Sequence, residues 1–102
     1  MKVVGITACP TGIAHTYMAQ EGLVEECKKR GFEVKIETQG TIGIENELTQ
    51  EEIDAADLVI LGVAIAIEGE ERFDDKVVYH AEVGKCVSNP KAVVDEALKL
   101  VK

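Results

Sequence analysis

Lys2 to Ala8 reads KVVGITA, an almost unbroken apolar run, and predicts a strand buried on both faces. Cys9-Pro10-Thr11-Gly12 interrupts it. From Ile13 the period changes: Ala19, Leu23 and Cys27 recur at helical spacing and predict a helix to about Arg30. Lys28, Lys29 and Arg30 suit its last turn, and Gly31 stops it. Phe32, Val34 and Ile36 alternate with Glu33, Lys35 and Glu37, which predicts a second strand with one wetter side. Residues 38–48 read as a loop around Gly40 and Gly43. Thr49-Gln50-Glu51-Glu52 is a capping-box pattern that opens a short helix through about Ala56. Leu58 to Ala64 is a third strand, as apolar as the first. After a charged connection over 65–76, Val77 to Tyr79 predicts a short fourth strand. Asn89 and Pro90 fit the N-cap and first position of a final helix, with Val94, Ala97, Leu98 and Val101 as its apolar stripe.

This order of elements predicts an α/β fold of three layers around a central, mainly parallel sheet of four strands, residues 1–102 forming a single domain. The two most apolar strands belong in the middle, which gives the strand order 2-1-3-4. In such sheets ligands bind beyond the carboxyl ends of the strands, so the loop after the first strand is the place to look for chemistry.

Composition narrows the function classes. The chain carries 11 Lys and Arg against 19 Asp and Glu, a net charge of −8, which argues against a nucleic-acid partner. There is no apolar run of membrane-spanning length. Three cysteines, an odd number without a Cys-x-x-Cys pair, suggest neither a disulfide framework nor a zinc ribbon, and point to a reduced, cytoplasmic setting. Ile6-Thr7-Ala8-Cys9 loosely matches a bacterial lipid-attachment site, but too few apolar residues precede Cys9 for a signal peptide.

The segment Cys9-Pro10-Thr11-Gly12-Ile13-Ala14-His15-Thr16 joins a buried strand to a helix. The unpaired N–H groups of a helix's first turn, with the helix dipole, form an anion site. A cysteine facing that ring gains thiolate character and becomes a nucleophile for phosphorus. Gly12 permits close backbone approach, and Thr11 and Thr16 offer hydroxyl donors. Cys27 and Cys86 read as small buried apolar residues. His15 fits either a phosphate contact or an ordinary polar residue of a first helical turn, and His80 carries no assigned role. Gln39 and Gly40 are either a simple turn after the second strand or neighbours of Cys9 at the same end of the sheet.

The stretch Cys9 to Thr16 closely resembles the phosphorylation loop of the fructose-type enzyme IIB domains of the bacterial phosphoenolpyruvate-dependent sugar phosphotransferase system. The likeness continues in Glu37-Thr38-Gln39-Gly40, Asn46-Glu47-Leu48-Thr49, Ile53 to Asp57 and Arg72-Phe73, and covers roughly residues 2–80. It implies a phosphocysteine relay. Cys9 would accept phosphate from a phosphohistidine IIA domain and pass it to a sugar, fructose as a rule, bound by the membrane IIC component. Residues 10–16 would cradle the phosphate, no metal or cofactor would be needed, and the chain alone would be a monomer at the inner face of the membrane. Two positions depart from the pattern: Ala64, where the family often has Asp, and Asp75, where it commonly has Gly.

A rival reading comes from hydrolysis. Low-molecular-weight protein phosphatases carry a strand-to-helix loop of pattern Cys-x5-Arg, and the arginine position here is His15. An imidazole cannot clamp phosphate oxygens as a guanidinium does. Asp74 or Asp75 would have to act as the general acid. A flavodoxin-like cofactor binder ranks last, because aromatic residues are only 4% of the chain.

Overall fold

The structure, a computed structural model, describes residues 1–8, 13–40, 43–63, 67, 69–74 and 76–101, without the side chain of Ile13. Strand β1 (Lys2–Ala8) leads to helix α1 (Ile13–Lys29), strand β2 (Glu33–Gly40) and strand β3 (Gly43–Glu45). Helix α2 (Gln50–Ala55), strand β4 (Leu58–Val63) and a 3-10 turn (Glu70–Phe73) follow. Strand β5 (Val78–Ala81) and helices α3 (Val83–Ser88) and α4 (Pro90–Leu98) complete the chain.

The sheet has five strands in the order β3-β2-β1-β4-β5. The four expected strands are parallel and in the expected order, with the apolar β1 and β4 at the centre. The expectation of four strands needs one correction. Gly43–Glu45, inside the segment read as a loop, pairs antiparallel with the end of β2. Three residues are too few to show an alternating pattern, and Gly43 takes a φ of 108° that only glycine adopts with ease. Helix α3 was also hidden in the sequence: its buried side chains are only Val83 and Cys86.

Helix ends follow local chemistry. At the end of α1 the Phe32 N–H donates to the Cys27 carbonyl at 2.9 Å and Gly31 N–H to that of Lys28 at 3.0 Å, with Gly31 at φ 80°. This is the Schellman arrangement that a glycine stop permits. Thr49 and Glu52 exchange both bonds of the capping box that opens α2. Asn89 accepts from Ala92 N–H ahead of Pro90 in α4.

The two faces of the sheet bury different helices. Val3, Ile36, Leu58 and Ile60 pack against Ala19, Leu23 and Cys27 of α1, Val83 and Cys86 of α3, and Val93, Val94 and Ala97 of α4. Val4, Ile6, Val59 and Leu61 face Ile53 of α2, Leu48 and Phe73. Within the sheet, Gly5 of β1 is closely hemmed by its strand neighbours. A Cβ at Gly5 would lie 2.3 Å from the Ile60 carbonyl oxygen, whereas one at Gly84 would meet nothing within 4 Å. Gly5→Ala should therefore destabilise the protein by about 1–3 kcal/mol, while Gly84→Ala in α3 should be neutral or stabilising by up to about 1 kcal/mol. Urea unfolding of the two variants checks this, and equal midpoints would contradict it.

Candidate functional site

The carboxyl ends of the parallel strands share one rim. Ala8 of β1 stands beside Gln39 of β2 on one side and Val63 of β4 on the other, and Gly62 stands beside Ala81 of β5. From Ala8 the chain crosses to the first turn of α1 at Ile13. Cys9, Pro10, Thr11 and Gly12 lie outside the described residues, as do Ala64 and Asp75. The frame on both sides of that loop is described. Thr7 Oγ1 donates to the Thr16 carbonyl at 3.0 Å in a buried position, tying the end of β1 to the first turn of α1. That turn carries no acidic residue, so its dipole is left available to an anion.

The helix residues of the expected loop divide. Ala14 and His15 are exposed, while Thr16 is buried. The hydroxyls of Thr16 and Thr38 are buried and have no hydrogen-bond partner among the described residues. Thr16 is thus placed beneath the helix start rather than out in solvent, and His15 is a polar side chain of this turn that reaches water.

On the α2 face of the same rim lies a group that sequence reasoning did not assign. Glu37, read as part of a wetter side of β2, has no exposure at all. Glu33 on the same side is exposed and Lys35 half-buried, because the loop before α2 and the 3-10 turn cover only the later half of the strand. The Glu37 carboxylate accepts from Arg72 Nη1 at 3.0 Å and Nη2 at 3.2 Å, a two-pronged pair. It also accepts from Leu48 N–H at 2.8 Å and Gln39 Nε2 at 2.7 Å. Arg72 in turn donates to the carbonyls of Leu48 and Gly69, each at 2.7 Å. Gly69 has φ 75°, and a Cβ there would lie 2.6 Å from Arg72 Nε, so glycine serves both the turn and the close approach of the guanidinium. The available signal was a spacing one: Glu37, Leu48 and Arg72 sit in three separate motifs of the resemblance, and here they meet. Gln39 is buried beside Ala8, whereas Gly40, one residue on, is exposed. His80 is exposed on β5, beside an open cleft of about 250 Å³ floored by Leu61, Phe73 and Val78.

Cys27 and Cys86 are fully buried. Burial pushes each thiol up to about 11, so both stay protonated and unreactive at neutral pH. Among the described residues, no three His, Cys, Asp or Glu side chains gather to hold a metal ion. No described helix is long and apolar enough to cross a membrane.

The family described as PTS system, Lactose/Cellobiose specific IIB subunit, matches residues 4–96. The chain belongs to the IIB family of the sugar phosphotransferase system. Within it the similar proteins are of the fructose type. A fructose-like EIIB component 2 of Escherichia coli K12 is 47% identical over 95 residues, covering 93% of this chain and 90% of the relative. The fructose-specific EIIB'BC component of Rhodobacter capsulatus is 44% identical over 96% of this chain, which matches 17% of that longer protein. A domain of a fructose-specific iiabc component from Borrelia burgdorferi superposes with a TM-score of 0.91 at 46% identity, covering 96% of this chain and 93% of that domain. The family description names other sugars. The identities of the relatives make the IIB chain fructose-type in sequence and fold.

The buried thiols give a test by pH. The native IIB chain at about pH 8 should take one alkyl group, on Cys9, and three only after unfolding. Because folding raises the Cys27 and Cys86 values from 9.0, their contribution to stability is full below 9.0 and is lost as pH climbs through about 11. Mass mapping of the alkylated protein checks the first point and urea midpoints against pH the second. Modification of Cys27 or Cys86 in the native state would contradict both.

Proposed function

We propose that this IIB chain is the phosphoryl carrier of a fructose-type phosphotransferase system, with Cys9 as the nucleophile. The thiolate of Cys9 attacks the phosphorus of a phosphohistidine on a IIA domain. The P–N bond breaks, the S–P bond forms, and the imidazole keeps the electron pair. The hydroxyl of a sugar held by the membrane IIC component then attacks phosphorus: the O–P bond forms, the S–P bond breaks, the Cys9 thiolate leaves with the electron pair, and the hydroxyl proton is released to solvent. The work takes place at the cytoplasmic face of the membrane, and residues 1–102 act as one IIB unit. Residues 10–16 cradle the phosphate, the backbone N–H groups from Thr11 onward at the start of α1 supplying the charge compensation, with His15 at the exposed side of that turn and Gln39 and Gly40 as neighbours.

Family membership carries this reading. The acid-free start of α1, tied to β1 through Thr7, supports an anion site there. The two other cysteines, held protonated by burial, support Cys9 as the reactive thiol. The phosphatase reading needs an arginine on the phosphate, and the chain has only Arg30 and Arg72. Arg30 is paired with Glu26 and Asp95 at one end of α1, and Arg72 with Glu37. With His15 in the arginine's place, hydrolysis lacks its clamp.

Incubation with phosphoenolpyruvate, the general phosphotransferase proteins and a fructose-type IIA domain should label the wild type and leave Cys9→Ala unlabelled. In a chase, the phosphoryl group should persist in water and leave quickly only when IIC-containing membranes and fructose are added. Label retained in Cys9→Ala, or free phosphate released at the transfer rate without membranes, would overturn the proposal.

A further inference from the structure

We propose that the buried Glu37–Arg72 pair is a positioning unit for phosphoryl transfer, acting through the Gln39 side chain that Glu37 holds beside the end of β1. This rests on the phosphocysteine reading above. A buried ion pair is weak evidence of stabilisation in itself, because well-packed apolar residues of similar volume serve stability as well or better. What the pair supplies here is direction. One carboxylate oxygen of Glu37 takes Arg72 Nη1 and Leu48 N–H, and the other takes Arg72 Nη2 and Gln39 Nε2. The carboxylate cannot turn without giving up charge-assisted bonds on both oxygens. Gln39 must then present its amide nitrogen, not its oxygen, to Glu37. Its backbone is in register with Ala8, the residue before Cys9. Four separate segments are therefore locked at the rim: the ends of β1 and β2, the turn before α2 at Leu48, and the 3-10 turn at Gly69 and Arg72. Phosphoryl transfer depends on a placement held to fractions of an ångström, so loosening such a lock lowers the rate of the step rather than donor binding.

The test uses the full chain, with the phosphorylated fructose-type IIA domain as donor. In Gln39→Ala the Glu37–Arg72 pair remains, so the protein should still fold cooperatively, with a midpoint lowered only by the loss of one charge-assisted hydrogen bond. Its kcat for Cys9 phosphorylation should fall about 10- to 100-fold, with KM for the donor unchanged within about two-fold. The pH midpoint of Cys9 alkylation should rise in parallel, a change that a purely structural side chain would not cause in a folded protein. Gln39→Glu should be as slow at neutral pH and recover as pH falls, because a protonated carboxyl can donate to Glu37 as the amide does. Glu37→Gln should show the same kcat loss where it folds, and Gln39→Ala decides the matter where it does not. Transfer at the wild-type rate with an unchanged alkylation midpoint in Gln39→Ala would overturn the proposal. A wild-type protein that takes no label on Cys9 would overturn the phosphotransfer reading as well, so the two failures are told apart.

Discussion

A carboxylate removed from water must have its oxygens occupied by donors, and Glu37 meets that constraint with four of them. Much of the α2 side of the sheet follows from it. Leu48 is drawn down so that its N–H reaches the carboxylate, and it then seals the core beside Ile53. Arg72 must come within reach, so Gly69 turns with a positive φ and Phe73 is delivered into the same core. Deleting the Arg72 charge would leave Glu37 buried without its ion-pair partner, which costs about 3–5 kcal/mol. The 3-10 turn between β4 and β5 is thereby pinned to β2 and to the turn before α2.

The opposite face is held by ordinary apolar packing, and it was the more legible face in the sequence. Ala19, Leu23 and Cys27 at helical spacing and the apolar runs of β1 and β4 are strong periodic signals. The capping residues Thr49, Asn89 and Gly31 marked helix ends by local chemistry that needs no tertiary partner. What escaped was set by contacts distant in sequence. Glu37 alternates with apolar residues as a solvent-facing side chain would, and only the arrival of Arg72, 35 positions later, makes it a buried one. Strand β3 escaped because three residues held by the end of β2 carry no pattern of their own. Helix α3 has two buried residues and no side-chain cap to announce it.

The candidate site was legible for a different reason. A strand running straight into a helix start through a cysteine is a local feature, and its frame needs only β1, α1 and the Thr7–Thr16 bond to be recognised. Two of the three cysteines are set aside by their environment. Cys27 and Cys86 lie in the core, where an apolar surround opposes the thiolate, which leaves Cys9 as the nucleophile of the proposed relay. The same division explains why transfer fits this molecule better than hydrolysis: both arginines are committed to carboxylates, and none stands at the Cys-x5 position.

The central claim is that the phosphoryl group is carried on sulfur. Phosphorus NMR of the intact chain, charged through a fructose-type IIA domain and observed native and then urea-unfolded, tests it most directly. The account predicts a single S-phosphoryl resonance, lost when Cys9 is replaced by alanine. An N-phosphoryl resonance in its place, from His15 or His80, would contradict it.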